Sequence, residues 1–267
     1  MRTVRMLPSA EHDPLPEWCT VDVRSVPTLP AWAIEEFSEP GATVLDPFAG
    51  FGTTLRAAQR LDREAYGIEL EERRVEYIRD RLSRNRDRPA TNAATDEDEG
   101  TRVVVGDAMA GPAAFHEAGI DPPVADLVYT APPYMLEGTD TDPLTNYRGS
   151  GSYEGYLSRM TMAFEAITGL LDDDATIVVE ASNLRAGPAV TMLAWDLAEA
   201  IDHADGYRFR VEIVVGFDES EDSQDRSETN ESPGSADPDD GSDPLDSGRY
   251  GYGYDHCYCL VFDRLST

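Results

Sequence analysis

The chain contains no lysine: all 22 of its basic residues are arginines, against 52 acidic residues and a formal charge of −30. Cysteine is also scarce, with only Cys19, Cys257 and Cys259 among 267 residues. That number excludes a disulfide framework. No apolar run is long enough to span a bilayer and no signal-peptide pattern is present, which removes the membrane and secreted classes and leaves a cytoplasmic, reduced protein as the expectation. The absence of lysine together with excess acid points to an extreme halophile. At about 1 M salt the Debye length is only about 3 Å, so acidity of this degree excludes neither DNA nor RNA as a partner. His256, Cys257 and Cys259 match no common zinc spacing, and their segment alternates like a strand, so they read as core or edge residues and no metal is expected.

What the sequence does have is regular alternation. Strands are predicted at 43–45, 65–68, 102–105, 126–130, 176–180, 209–215 and 257–262, and helices at 31–37, 53–61, 71–83, 153–170 and 188–203. Such a pattern builds an α/β domain whose largely parallel sheet is covered on both faces. The length fits a single domain over 1–267, with an N-terminal extension at 1–20. Polar segments at 87–100, 135–152 and 218–248 read as loops, and the last, rich in Asp, Glu, Ser, Gly and Pro, has the composition of a disordered insertion.

Two motifs carry chemistry. Asp46-Pro-Phe-Ala-Gly-Phe-Gly-Thr-Thr54 follows a strand and opens a helix. Gly50 and Gly52 there permit positive φ and close approach of a ligand to the main chain, while the helix start offers free N–H groups. Thr130-Ala-Pro-Pro-Tyr134 follows a later strand. Pro132 and Pro133 offer carbonyl acceptors without N–H donors, suited to a group that brings its own hydrogens, such as the exocyclic amine of a nucleobase. Tyr134 adds a flat face on which an extruded base can lie.

These motifs resemble those of the S-adenosylmethionine-dependent amino-methyltransferases of DNA, the N4-cytosine and N6-adenine enzymes, with their D-P-F-x-G-x-G-T-T and [D/N/S]-P-P-[Y/F/W] loops. Val26-Pro-Thr-Leu-Pro30 and the helix after it resemble the family's cofactor-flanking segment, and 175–183 and 256–263 its later strands. The resemblance implies a Rossmann-like seven-stranded methyltransferase fold whose last strand is antiparallel. It implies S-adenosylmethionine as cofactor, held by Asp46, Phe48, Ala49, Gly50, Gly52, Thr53, Thr54, Glu69 and Asp107. The catalytic loop it implies is Thr130, Ala131, Pro132, Pro133 and Tyr134. One position departs from the pattern: Ala131 stands where the family has Asp, Asn or Ser, so its side chain cannot accept a hydrogen bond from the target amine.

The residues themselves support these assignments. Glu69 ends the second predicted strand, 17 positions after Gly52, where nucleotide-binding folds place an acid on the ribose hydroxyls. Asp107 occupies the same place on the third, where in the family an acid meets the adenine amine, and it can equally cap a helix. Asp46 suits the cofactor's ammonium end. A dinucleotide fingerprint needs a third glycine where this chain has Leu55. Phe48 and Phe51 read as packing residues. Arg73, Arg74, Arg79, Arg81, Arg84, Arg86 and Arg88 could contact phosphates, but neighbouring acids at helical spacing favour an internally paired face. The expectation is a methyltransferase acting on a nucleobase amine, DNA cytosine-N4 first. An RNA enzyme of the tRNA guanine-N2 type and a weakly active S-adenosylmethionine-binding nucleic-acid protein are the alternatives.

Overall fold

In the computed structural model, which describes residues 2–19, 24–83, 101–145, 148–186, 188–218 and 254–265, the apolar runs become eight strands of one sheet. These are β1 (Val4–Pro8), β2 (Thr43–Asp46), β3 (Glu64–Glu69), β4 (Thr101–Val105), β5 (Ala125–Thr130), β6 (Leu171–Ala181), β7 (Tyr207–Asp218) and β8 (His256–Arg264). Their order is β1-β7-β8-β6-β5-β2-β3-β4. β8 runs antiparallel to β6 and β7, and every other pairing is parallel. The Rossmann-like arrangement of seven strands with an antiparallel last strand is therefore present. An eighth strand, β1, extends it at the edge, with Val4 opposite Val214. Leu7 is the one buried residue of β1, so no apolar alternation announces that strand in the sequence.

Helices α1 (Thr28–Phe37), α2 (Thr53–Arg60), α3 (Glu72–Ser83), α4 (Pro112–Glu117), α5 (Tyr153–Ile167) and α6 (Leu193–Asp202) cover the two faces. Successive strand residues point to opposite faces, so the sheet feeds two cores. Leu45, Val128, Ile177, Val179 and Phe262 pack with Phe115, Phe164 and Leu197 on one side. Val44, Leu127, Tyr129, Val178 and Val261 pack with Ile34, Leu55 and Ile78 on the other. Cys257 and Cys259 belong to this second core as free thiols, and burial pushes both of them upward in pKa. No group of three or more metal-ligating side chains gathers among the described residues, and no helix among them is long and apolar enough to cross a membrane.

The helices α4, α5 and α6 differ from the sequence reading. The helix expected from 188 begins only at Leu193, because residues 189–191 pair with 184–186 in an antiparallel hairpin. Its start is capped from a distance, by Asn183 Oδ1 accepting the Ala194 N–H at 3.1 Å. The helix expected to reach 170 ends at Ile167 and passes into one 3₁₀ turn. The short helix α4 was not expected; its six residues start with Pro112 after Gly111 at φ +52°, too few to show a period. Among the described residues of 135–152, Thr141–Asp142 pairs with Gly149–Ser150 and Pro143–Thr145 forms one 3₁₀ turn. The loop 87–100, Arg84, Arg86, Arg88 and the acidic insertion beyond Asp218 lie outside the described residues.

The topology places the site. β3 and β4 lie on one side of β2, and β5 and β6 on the other. The order thus reverses between β2 and β5, and open α/β sheets bind ligands in the crevice beyond the carboxyl ends of such strands.

Candidate active site

Asp46, Glu69 and Thr130 end strands β2, β3 and β5, so the two motifs of the sequence meet at this reversal. Between them lies a cavity of about 220 Å³. Its walls are the 46–51 loop, Thr53 and Thr54 at the start of α2, Glu69, Asp107, the Ala131-Pro-Pro-Tyr134 loop, and Arg24, Ser25, Arg74, Leu144 and Glu180.

The glycine loop is held by the acid it helps to form a site with. Gly50 and Gly52 have φ +53° and +76°, a region that costs an ordinary residue about 1–2 kcal/mol. The Gly50 N–H donates to Glu69 Oε2 at 2.8 Å and the Glu71 N–H to Glu69 Oε1 at 2.9 Å. Both carboxylate oxygens are thereby fixed, with Arg74 3.6 Å away. Burial raises the Glu69 pKa, opposed by the Glu71 N–H, Arg74 and the Gly50 N–H. A Cβ at Gly50 would touch only the Phe48 carbonyl, at 3.8 Å, whereas one at Gly52 would meet Ile78 at 3.0 Å. Gly50 thus leaves the cleft face of the loop open, and Gly52 lets the loop pack on α3.

Asp46 is 3% exposed. Its Oδ1 accepts the Phe48 N–H at 3.1 Å and the Thr130 hydroxyl at 2.6 Å, and Thr54 also bonds to the carboxyl. Burial raises its pKa to about 6 against the opposing effect of these donors. Asp107 lines the cleft and also caps the turn after β4, its Oδ1 accepting the Met109 N–H at 2.9 Å; the two roles anticipated for it coexist in the geometry.

The Pro-Pro-Tyr loop is anchored from outside the cleft. The Pro133 carbonyl accepts the Tyr156 hydroxyl at 3.0 Å, and the Tyr134 hydroxyl donates to the Glu180 backbone carbonyl at 3.2 Å. No described residue donates to the Pro132 carbonyl. Leu144 is presented by a turn built on buried Asp142, which accepts the Leu144 N–H at 2.9 Å and pairs with Arg159.

Of the expected site residues, two do not line the cleft. Gly52 sits behind the loop as described. Thr130 is fully buried, and its hydroxyl is committed to Asp46, so it orients that carboxylate and does not face the cleft. The cleft also recruits residues the motifs did not mark: Arg24 and Ser25 from the segment before α1, Arg74 from α3, and Glu180 from β6. Ser25 bonds to the Glu180 carboxyl, as does the Tyr129 hydroxyl, at 2.7 Å. The described part of the arginine-rich helix is internally engaged. Arg74 pairs with Glu69 and Glu71, Arg81 with Asp13, Arg79 donates to the Val103 carbonyl at 2.9 Å, and Arg73 stacks on Trp18.

Chemically, the cleft presents three acids at the ends of three adjacent strands, beside the glycine loop and the first turn of α2. A cation, a vicinal diol and an amine match those acids, whereas a pyrophosphate would be repelled by Asp46. S-Adenosylmethionine carries all three groups in its methionine, ribose and adenine parts, and the residues present fit it.

Comparison with known proteins agrees. Residues 27–80 match the family model described as DNA methylase. The type II methyltransferase M.SmaI of Serratia marcescens is 51% identical over 49 residues, 18% of this chain and 17% of that protein. Among solved structures, TrmN from Thermus thermophilus superposes with a TM-score of 0.52 at 19% identity, over 90% of this chain and 49% of that one. A methyltransferase from Pyrococcus furiosus gives 0.50 at 14% identity, over 91% and 84%. The chain thus spans about a sixth of the curated relative and half of the first structure, and the structural likenesses speak for the fold alone. Signature segment, fold and acid-lined cleft coincide: over residues 27–80 the chain is similar to the DNA methylase family, and S-adenosylmethionine is the cofactor that its cleft fits.

Proposed function

We propose that this protein methylates an exocyclic amine of a nucleobase, with cytosine N4 of DNA as the favoured target. The observation that carries this reading is that one cleft contains both the cofactor acids and the Pro-Pro-Tyr loop. Bound S-adenosylmethionine supplies a methyl group made electrophilic by the sulfonium. Asp46, Glu69 and Asp107 would hold its cationic, ribose and adenine parts. The Pro132 carbonyl would accept a hydrogen bond from the target amine. That bond opposes delocalisation of the nitrogen lone pair into the ring and strengthens as positive charge develops on nitrogen. Tyr134, oriented through its hydroxyl, would stack on the base and bring nitrogen and methyl into line, where positioning itself contributes much of the rate. As the nitrogen–carbon bond forms the carbon–sulfur bond breaks, and the nitrogen sheds one proton to water.

DNA is favoured by the family description and by the type II methyltransferase similarity. Cytosine is favoured by Thr130-Ala-Pro-Pro-Tyr134, one substitution from the Thr-Ser-Pro-Pro-Tyr loops that it resembles. The test is transfer of labelled methyl to DNA and to RNA in molar KCl, followed by separation of nucleosides. Label in N4-methylcytosine supports the reading. Label in N2-methylguanosine of RNA replaces it with the RNA alternative, and cofactor binding without transfer replaces it with a binding protein.

A further inference from the structure

Ala131 leaves the Pro-Pro-Tyr loop without the side-chain acceptor that the loops it resembles carry, and the neighbouring strand places one beside it. Thr130 of β5 is in register with Val179 of β6, and the next residues, Ala131 and Glu180, both line the cleft. Glu180 is held in place. The Tyr129 hydroxyl donates to its Oε2 at 2.7 Å, Ser25 bonds to the same carboxyl, and its backbone carbonyl receives the Tyr134 hydroxyl at 3.2 Å. A carboxylate offers about four acceptor positions, so two hydroxyl donors fix its orientation and leave capacity for a proton brought by a ligand. The same acid is thus tied to the tyrosine on which the base would stack and sits next to the position that has lost its acceptor.

We propose that Glu180 is the side-chain acceptor for the target amine, supplying from β6 the hydrogen bond that position 131 does not. This rests on the nucleobase-amine reading above. The chemistry of the transfer is unchanged; Glu180 accepts one N–H of the amine while the Pro132 carbonyl accepts the other, so both protons are held as the nitrogen attacks.

The test compares the full chain with Glu180→Ala, Ala131→Ser and the double variant. It measures kcat on the nucleic acid that the wild-type chain methylates, together with cofactor affinity and melting temperature. Loss of a preorganised hydrogen-bonding group at a transition state lowers kcat by about 10²–10³, and Glu180→Ala is expected to do so while cofactor affinity stays within about threefold, since the acid faces the amine. Ala131→Ser is expected to give a fold-gain at least about tenfold larger in the Glu180→Ala background than in the wild type, the coupling of residues that serve one partner. Should Glu180→Ala melt early, Tyr129→Phe/Glu180→Met removes donor and acceptor together and leaves no orphaned hydroxyl; the same fall in kcat is required of it. Undiminished kcat in these variants, or equal gains from Ala131→Ser in both backgrounds, overturns the role of Glu180 and leaves the proposed function standing. A wild-type chain that methylates no nucleobase overturns both.

Discussion

Replacing Glu69 by glutamine tests the cofactor site at its most constrained point. Both oxygens of this carboxylate already accept backbone N–H groups, Gly50 at 2.8 Å and Glu71 at 2.9 Å. An amide has one acceptor oxygen and an NH₂, so in either orientation the NH₂ faces a backbone donor and one N–H is orphaned. A buried unsatisfied donor costs about 1–3 kcal/mol and a lost charge-assisted hydrogen bond about 1.5–3 kcal/mol. The second loss falls directly on the ribose contacts and predicts that cofactor affinity weakens by about 10- to 150-fold. Glu69→Ala, which leaves room for water to satisfy the two N–H groups, is expected to bind no worse than Glu69→Gln, the reverse of what isosterism alone predicts. Calorimetric titration of each variant with S-adenosylhomocysteine in molar KCl, with melting curves of the free proteins, measures both quantities. A Glu69→Gln chain that binds within threefold of the wild type would refute the assignment of Glu69 to the ribose and of the loop geometry to its carboxylate.

Asp46 has its pKa raised by burial to about 6 from 3.8, so affinity for the cationic cofactor should rise as pH increases through about 6. In the free protein the linkage has the opposite sign, with the stability Asp46 contributes fully present below about 3.8 and lost as pH rises through about 6; titrations and melts across pH 4–8 read both. Thr130→Val deletes a donor at 2.6 Å from Asp46, and it should move the binding transition to higher pH and cost about 1–3 kcal/mol in denaturant melts. Tyr134→Ala removes a stacking face worth about 1–3 kcal/mol per base, so nucleic-acid affinity should fall by about 5- to 150-fold with calorimetric cofactor affinity unchanged. Gly52→Ala forces a side chain to φ +76° and sets its Cβ 3.0 Å from Ile78; melting should show a loss above the roughly 1–2 kcal/mol of the backbone strain alone.

The parts legible in the sequence were those fixed by local rules. Short apolar runs located the seven strands that feed two cores, because successive side chains point to opposite faces and helices cover both. The glycine loop was legible because positive φ at Gly50 and Gly52 restricts the residue type. Glu69 and Asp107 were legible because a strand end after such a loop places an acid in the crevice. The edge strand β1 was not, since edge position removes burial from all but Leu7. Pro188 gave a false helix start because hairpin pairing of 189–191 with 184–186 overrides a proline's preference for the first helical turn. Thr130 could be assigned to the catalytic loop from its motif, yet its hydroxyl turns back to Asp46, 84 positions earlier. Glu180, Ser25 and Arg24 carry no motif at all. They reach the cleft only through the pairing of β6 with β5 and the course of the chain before α1, contacts that no local window of sequence contains.

The central claim is that an exocyclic nitrogen receives the methyl group, and isotope coupling tests it most directly. The protein would be incubated with S-adenosylmethionine carrying ¹³C in its methyl group and with DNA whose cytosines carry ¹⁵N at N4, and the digested nucleosides observed by NMR. The account predicts a one-bond ¹³C–¹⁵N coupling in N4-methylcytidine deoxynucleoside. Methyl carbon bonded to a ring carbon or ring nitrogen, or no methyl on any base of DNA or RNA while the cofactor binds, would contradict it.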